Sequence, residues 1–581
     1  MIYTNKKLFN STSRINLMGT IDQQQLINSV FSKWSVFDTN ERISILFYLR
    51  ESFFRAMTSE QKERYFTIIE QELRKEQIVK GDLIELLGQL IKYVDFNVKS
   101  IIWKVLSIKE QLHKVKDYIC IINFFKYAWD ICDKEQRTII RNMLTQKLPN
   151  SDLEIIAKDV LYAIESDPVC QLKGKFALVI PEFLTSATFL QQPLDYMRAL
   201  SFLKENGLLG DIIDNRVHNY SLHHLAQVLE PYDTIIVTSS PIDMVQKYYI
   251  DYRYCIFCET VNWLHSNYPN KKIIVCGAHG TVDKNLLYKD ICCNQVLSGE
   301  CTNAIVSYLL GRSIDEEHLL KCKLQLDAVD MNWYYGRKVR NNITYRQKKY
   351  SIFQLSLGCP YHCIYCYNFY GHKVRRMPIE DAVSQLQQLK DSGIEHIFFI
   401  DQTFTLDNIY IEKLCREMCR RDFRFSWQCE TRADLLTPSL TQLMKEAGCT
   451  TVWLGFESFS QDVLDANKKQ LTNQQQFEAI HILQKVGIGC SGFVMFGMVG
   501  DTPDTIRDTI NTILLHNIPT SRTANLCTVR IGTELYEMAK AADIIKIDSF
   551  CHLEAYRGRL FNSVTDEDLS DAMLRFSAVI G

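Results

Sequence analysis

The stretch "LSLGCPYHCIYCYNFYG", residues 355–371, sets Cys359, Cys363 and Cys366 in a C-x3-C-x2-C pattern. A disulfide needs two thiols and a structural zinc site four ligands, so three thiolates in one short loop point to a metal centre with one position left open. In a four-iron, four-sulfur cluster each iron takes one outside ligand, and three cysteines leave one iron free for a reactant. Gly358 and Pro360 suit the tight turn that would carry the thiols to three corners of such a cluster. The competing readings are three buried thiols, or a partial zinc site with His362 or His372 nearby.

A loop of this kind has to be held by regular structure. The run "SIFQLSL" directly before it reads as a strand, and "HIFFI", "FRFSWQC", "TTVWLGF", "CSGFVMFG" and "TANLCTV" follow as further strands. Helices lie between them, with clear start signals. Thr437 before Pro438 and Thr502 before Pro503 are N-caps followed by proline at the first helical position, and Thr472 with Gln475 fits a capping box. Ile506, Ile510, Ile513 and Leu514 are expected to form one apolar face. Residues 350–540 therefore read as six β/α units in a parallel barrel or partial barrel, whose chemistry belongs at the carboxyl ends of the strands. The cysteine loop follows the first of them.

A second α/β region precedes the barrel, over residues 169–311. The strands "KFALVI", "GDIID", "DTIIVTSS", "KKIIVCG" and "NQVLSG" alternate with helical stretches such as "DYMRALSFLKENG", ended by Gly207, and "SLHHLAQVLEPY", with Ser221 as its N-cap. A helical stretch around 243–267 follows the third strand, and "CTNAIVSYLLGR" closes at Gly311. This is the pattern of a doubly wound, Rossmann-like parallel sheet, where ligands sit at the carboxyl ends of the strands.

The remaining regions carry no catalytic constellation. Residues 1–168 place apolar residues at three- and four-residue spacing and read as an all-α docking or scaffolding domain. Residues 312–349 form a connector whose basic run "RKVRNNITYRQKK" reads as a solvated linker, and residues 541–581 are a short C-terminal segment with little to shape a pocket. The formal net charge of -2 gives no general attraction to nucleic acid or anionic membrane. There is no apolar run of about 18 residues and no signal-peptide core, so a cytoplasmic protein is expected. In a reducing compartment most of the 20 cysteines should be free and buried, including Cys255, Cys258, Cys292 and Cys293.

The segment "CPYHCIYC", with an aromatic residue before the last cysteine, resembles the signature of radical S-adenosylmethionine (SAM) enzymes. The resemblance runs from residue 350 to about 540 and is to the cobalamin (B12)-associated, methyltransferase-like branch. It implies that Cys359, Cys363 and Cys366 ligate a [4Fe-4S] cluster whose open iron takes the SAM amino and carboxylate groups. "FFIDQTFTLD" puts Asp401 and Gln402 where that family contacts the SAM methionine. "CETRADLL" offers Glu430 and Arg432, and "WLGFESFS" offers Glu457 and Ser458. "MFGMVGDT" and "RIGTELY" resemble the fifth- and sixth-strand segments, with Ile531 in place of a common proline; Leu357 stands where arginine is frequent.

The upstream sheet resembles the cobalamin-binding domain that precedes the barrel in B12-dependent members. By that resemblance the corrin contacts are Ser239 and Ser240, then Gly277, Ala278, His279, Gly280 and Thr281, and then Ser298, Gly299 and Glu300. Asp195 replaces a glycine of the family's first segment. No D-x-H-x-x-G motif is present, and "PEFLTSATF" holds no histidine, so cobalt would have no protein histidine below it. The implied activity is formation of a 5'-deoxyadenosyl radical and methyl transfer from methylcobalamin to an unactivated carbon of a peptide or natural-product (small-molecule) substrate. The implied electron donor is a flavodoxin or ferredoxin, with neither membrane nor nucleic acid as partner. The alternatives are radical rearrangement, cyclisation or oxidation without methyl transfer, a methylthiotransferase acting on transfer RNA, and a non-catalytic cluster-binding maturation partner.

Overall fold

The structure is a computed structural model. It describes scattered positions between 27 and 46, residues 57–161 with breaks, and residues 174–580 except 182–191, 219, 221, 241–251, 315–338, 341–342, 345–349, 522–523 and 551–555. Ser221, most of the linker and the start of the helical stretch expected from 243 lie outside the described residues.

The N-terminal region is helical: α1 (Ser59–Leu73), α2 (Lys80–Leu90), α3 (Lys99–Ile108), α4 (Val115–Ala128) and α5 (Lys134–Thr145). Its aromatic and aliphatic residues, among them Tyr65, Phe66, Leu87, Phe124 and Phe125, form a core of their own.

The upstream sheet runs through β1 (Phe176–Ile180), α6 (Leu194–Glu205), β2 (Gly210–Asp214), α7 (Leu222–Leu229), β3 (Thr234–Thr238), α8 (Tyr252–Asn267), β4 (Lys272–Cys276), α9 (Ala278–Val282), α10 (Lys284–Asp290), β5 (Gln295–Val296) and α11 (Cys301–Leu310). All pairings are parallel, in the order β2-β1-β3-β4-β5. Every residue of β1 is buried, as expected of a strand covered on both faces. The order reverses between β1 and β3, which puts the crevice for a ligand at their carboxyl ends.

The second sheet begins with β6 (Tyr350–Phe353) and a small hairpin, β7 (Ser356–Leu357) with β8 (Arg375–Arg376). Then come α12 (Ile379–Asp391), β9 (His396–Phe399), α13 (Asn408–Arg420), β10 (Ser426–Thr431), α14 (Pro438–Glu446), β11 (Cys449–Glu457), α15 (Gln461–Ala466), α16 (Asn473–Val486), β12 (Gly489–Phe496), α17 (Pro503–Leu515), β13 (Asn525–Leu526), α18 (Glu534–Ala541) and α19 (Asp566–Ile580). The six strands lie in sequential order from β6 to β13, all parallel, and β6 does not pair with β13. The result is a half-barrel. Along β10, β11 and β12 alternate side chains separate cleanly. Trp427, Cys429, Val452, Leu454, Val494 and Phe496 pack under the helices, while Gln428, Glu430, Trp453, Phe493 and Met495 line the half-buried concave face.

The helix starts are those the sequence signals. Thr437, Thr472 and Thr502 each accept a backbone N–H of the first turn, the last two as full capping boxes. The strand expected to begin at Phe423 begins instead at Ser426; Phe423 and Phe425 pack against each other in the core ahead of it. Leu514 corrects the expected apolar face of α17. Ile506, Ile510 and Ile513 are buried, but Leu514 is 44% exposed. At about 100° per residue it lies roughly 80° round the helix from Ile506, off the buried stripe.

The two sheets meet at β6, whose outer edge has no strand partner. The side-chain amide of Gln192 takes that role: it donates to Tyr350 O at 2.8 Å and accepts from Ile352 N at 3.0 Å. Arg198 donates to the side-chain and backbone oxygens of Gln354, each at 3.1 Å. The C-terminal segment, expected to offer little to shape a pocket, packs on the upstream sheet. Ser549 donates to Asp290 at 3.1 Å, and Phe550 packs against Tyr254 and His279 of the upstream sheet.

The packing of α17 makes a test. Ile513→Ala should destabilise by about 2–4 kcal/mol, whereas Leu514→Ala should stay within about 0.5 kcal/mol, read from the shift of the thermal transition.

Candidate active site

The cysteine loop is tied at both ends and in the middle. The β7–β8 hairpin pairs Leu357 with Arg375, and inside it Cys359 N donates to Gly371 O at 3.1 Å. Gly358 has φ +95°, and a Cβ there would fall 2.4 Å from Lys373 O, so only glycine fits. Asn368 Nδ2 donates to Cys359 O at 2.6 Å, and Cys366 N donates to Cys363 O at 3.0 Å. The middle of the loop docks on the barrel: Ile364 N donates to Asn467 O at 3.2 Å, and Leu535 N donates to Ile364 O at 2.9 Å.

The three thiols share one environment. Burial pushes the Cys366 thiol up to about 12, and the neighbouring thiols of Cys363 and Cys359 add to the rise. Arg530 and Lys469 act against it. Among the described residues no three His, Cys, Asp or Glu side chains converge as a single metal ion would need. A cubane instead takes one thiolate per iron at separate corners, and buried cations beside it offset its negative charge. The residues therefore fit a [4Fe-4S] cluster.

Lys469 is a site residue the sequence does not announce. It is 6% exposed, and its ammonium donates to Glu457 at 3.0 Å. Glu457 ends β11 in the left-handed region, φ 64°, a strained conformation for a residue with a Cβ. A Cβ on Gly455 would lie 2.7 Å from the Glu457 carboxylate and 3.0 Å from the Lys469 ammonium, so the glycine makes room for this pair. The Lys469 carbonyl accepts Arg432 Nη1 at 2.8 Å.

Other residues expected to touch SAM are turned to holding the loop. Asp401 is 1% exposed; its carboxylate accepts Leu355 N at 3.2 Å and Ser356 Oγ at 2.6 Å, which anchors the strand that enters the cysteine loop. Arg432 binds Gln470 O at 2.7 Å and Asp434 at 3.0 Å, and its guanidinium stacks 3.8 Å above the Tyr361 ring. Ser458 faces α17, its Oγ 3.2 Å from Thr509 Oγ1. Gln402 donates to Asn368 Oδ1 at 2.9 Å, while its side-chain Oε1 is buried with no hydrogen-bond partner among the described residues. Beside it Thr403 Oγ1 lies 3.6 Å from Cys359 Sγ. Glu430 lies half-buried on the concave face.

The loops at the carboxyl end of the upstream sheet are knitted together. Ser240 Oγ accepts Ala278 N at 3.3 Å, Thr281 Oγ1 donates to Gly299 O at 3.1 Å, and Ser298 Oγ donates to Gly280 O at 2.9 Å. Gly277, φ +113°, lets two of them close, since a Cβ there would meet Ser239 Oγ at 2.6 Å. His279 does not face an open site. Its ring is fully buried among Tyr254, Phe257 and Phe550, with Nδ1 3.1 Å from Ser239 Oγ, and burial lowers it to about 3, so it stays neutral. Glu300 pairs with Arg375 of the barrel hairpin. Among the described residues nothing lies within 4 Å of a Cβ added at Gly299, so that side is open with respect to them. Small residues and an open loop at the switch-point end fit a broad, flat ligand such as a corrin.

Cys292 is exposed where a buried thiol was expected. Among the described residues no helix is long and apolar enough to cross a membrane.

Residues 353–513 match the model of the radical SAM superfamily. The half-barrel is a radical SAM domain. With that domain come the cofactors of the superfamily, SAM and a [4Fe-4S] cluster. The chain is similar to an uncharacterised methyltransferase of Pyrococcus horikoshii, 28% identical over 34% of this chain and 43% of that protein. It is also similar to the anaerobic magnesium-protoporphyrin IX monomethyl ester cyclase of Rubrivivax gelatinosus, 30% identical over 28% of this chain and 30% of that protein. The chain thus spans less than half the length of these relatives. Among solved structures, TsrM from Kitasatospora setae, a radical SAM methyltransferase with cobalamin and a [4Fe-4S] cluster bound, superposes with a TM-score of 0.49 at 15% identity, over 63% of this chain and 79% of that one.

The buried Asp401 makes a pH prediction. Burial raises its carboxyl from the ordinary range to about 6, so the folded state holds the proton that the unfolded state releases near pH 4. Stability is then greatest below about pH 4 as far as this group is concerned, and falls as pH rises to about 6, by up to about 1.4 kcal/mol per pH unit. Asp401→Asn should flatten this share of the stability profile between pH 4 and 6, as measured by thermal unfolding.

Proposed function

We propose that the protein is a cobalamin-dependent radical SAM methyltransferase that adds a methyl group to an unactivated carbon of a peptide or small-molecule substrate. The observation that carries this reading is the meeting of the loop after β5 with the hairpin that carries the cysteine loop, through Glu300 and Arg375. A cysteine loop suited to a cluster and an α/β sheet with an open glycine loop are thereby held against each other. The methyltransferase name of the relative from Pyrococcus horikoshii supports it. When bound, the cluster with SAM supplies one-electron chemistry that opens unreactive C–H bonds, and cobalamin carries a methyl group.

The chain's own residues bind, orient and shield. Cys359, Cys363 and Cys366 hold the cluster. Lys469, paired with Glu457, keeps a buried positive charge beside the thiolates, which also suits the carboxylate of an amino-acid ligand. Glu430, Gln428 and Trp453 on the concave face orient what enters the half-barrel; Trp453 Nε1 already fixes Gln428 Oε1 at 3.2 Å. The aromatic residues Tyr365, Tyr367 and Phe369 of the cysteine loop pack against a core that the upstream domain and the half-barrel share, which suits the exclusion of water from the site. The loops at the carboxyl end of the upstream sheet, with Gly299, would hold cobalamin, which would supply the methyl group, while the enclosed His279 packs the sheet from within. A flavodoxin or ferredoxin supplies the electron, and the protein works in the cytoplasm.

A second reading is radical cyclisation or oxidation, which the similarity to the Rubrivivax cyclase favours. One experiment separates the two. Protein reconstituted anaerobically with iron, sulfide, hydroxocobalamin, SAM and a reductant should form 5'-deoxyadenosine and retain a corrin absorbance band. Cys363→Ala should lower 5'-deoxyadenosine formation at least about a hundredfold. Formation without a retained corrin supports the second reading, and undiminished formation by Cys363→Ala overturns both.

A further inference from the structure

The contacts that join the two sheets differ in what they touch. Gln192 binds Tyr350 and Ile352, Arg198 binds Gln354, and Ser549 binds Asp290. None of these reaches residues 358–372. The pair of Glu300 and Arg375 does. Glu300 ends the loop after β5, and its carboxylate accepts from the Arg375 guanidinium. The same guanidinium nitrogen donates to Tyr370 O at 3.0 Å, inside the cysteine loop. Arg375 also pairs in the hairpin with Leu357, the residue before Gly358 and Cys359. One buried arginine therefore holds both ends of the cysteine loop and the last loop of the upstream sheet.

That last loop is partly exposed and held by a few hydrogen bonds. Gly299 has φ +103° with no described atom within 4 Å of an added Cβ, and Ser298 is exposed. The bonds are Gly299 N to Thr281 Oγ1 at 3.0 Å, Thr281 Oγ1 to Gly299 O at 3.1 Å and Ser298 Oγ to Gly280 O at 2.9 Å. Attraction between buried opposite charges is strong and changes steeply with separation.

We propose that Glu300–Arg375 is a coupling pair, through which a ligand seated on the Ser298–Glu300 loop sets the position of the cysteine loop. Arg375 is a positioning residue and touches no thiol. The inference rests on the proposed function only for the identity of that ligand.

The test uses the full chain, anaerobically reconstituted with its cluster, and two readouts: the electron paramagnetic resonance line shape of the reduced cluster, and amide hydrogen exchange over residues 357–376. Glu300→Gln changes only the upstream side. It should alter the line shape and raise exchange in the cysteine loop about threefold or more. Ser549→Ala, which loosens the same interface away from β6 and the cysteine loop, should leave both readouts as in the wild type. Added hydroxocobalamin should shift the wild-type line shape and leave that of Glu300→Gln unmoved. Unchanged readouts in Glu300→Gln, or the same change in Ser549→Ala, overturn the proposal. Should Glu300→Gln fail to fold, Glu300→Asp, one methylene shorter, gives the same reading. If wild-type protein retains no corrin, the cofactor assignment fails, and the exchange data still decide the role of the pair.

Discussion

The edge of β6 is the constraint on which the rest of the molecule depends. A half-barrel leaves its first strand with unpaired backbone groups, and an unprotected edge of this kind recruits other strands. Here the amide of Gln192 satisfies that edge from the neighbouring domain, with Arg198 fixing Gln354 just beyond it. The strand so fixed runs straight into the cysteine loop. Asp401 and Ser356 secure the next step, the hairpin of β7 and β8 the one after, and Asn467 and Leu535 the middle of the loop. The position of three thiols thus follows from a chain of buried hydrogen bonds that starts outside the barrel.

Charge follows the same logic. Buried ammonium and guanidinium groups are costly unless paired. Lys469 and Arg432 meet that cost with Glu457, Asp434 and backbone carbonyls. Because the pairing is already complete, the cations stay in place beside the thiolates whatever else is bound. Glu457 reaches its partner by adopting a strained backbone, and Gly455 yields the space, so two residues of "WLGFES" serve a lysine in the turn after α15.

Much of this was legible in the sequence, and the reason is locality. The cysteine spacing and the caps at Thr437, Thr472 and Thr502 act within a few residues of themselves, so their signals survive without the fold. The parallel sheets were legible from alternation with helices. Lys469, Arg375, Gln192 and Phe550 were not, because each acts on a partner far away in the chain. Family resemblance offers Asp401, Arg432 and Ser458 as SAM contacts; the hydrogen bonds their side chains make to Ser356, Gln470 and Thr509 depend on neighbours that no local pattern announces. The same holds for His279: "GAHGT" reads as an open loop, and only the packing of Tyr254, Phe257 and Phe550 shows that its ring is enclosed.

That enclosure has a consequence for how the molecule is assembled. Phe550 and Ser549 follow the whole half-barrel in the chain, while Tyr254, His279 and Asp290 precede it. Synthesis runs from the N-terminus, and domains fold as they emerge. The upstream sheet is therefore complete while its aromatic clasp is still unmade. For that interval the face that Phe550 later covers stands open to the solvent, and a late contact of the fold is laid across the upstream sheet.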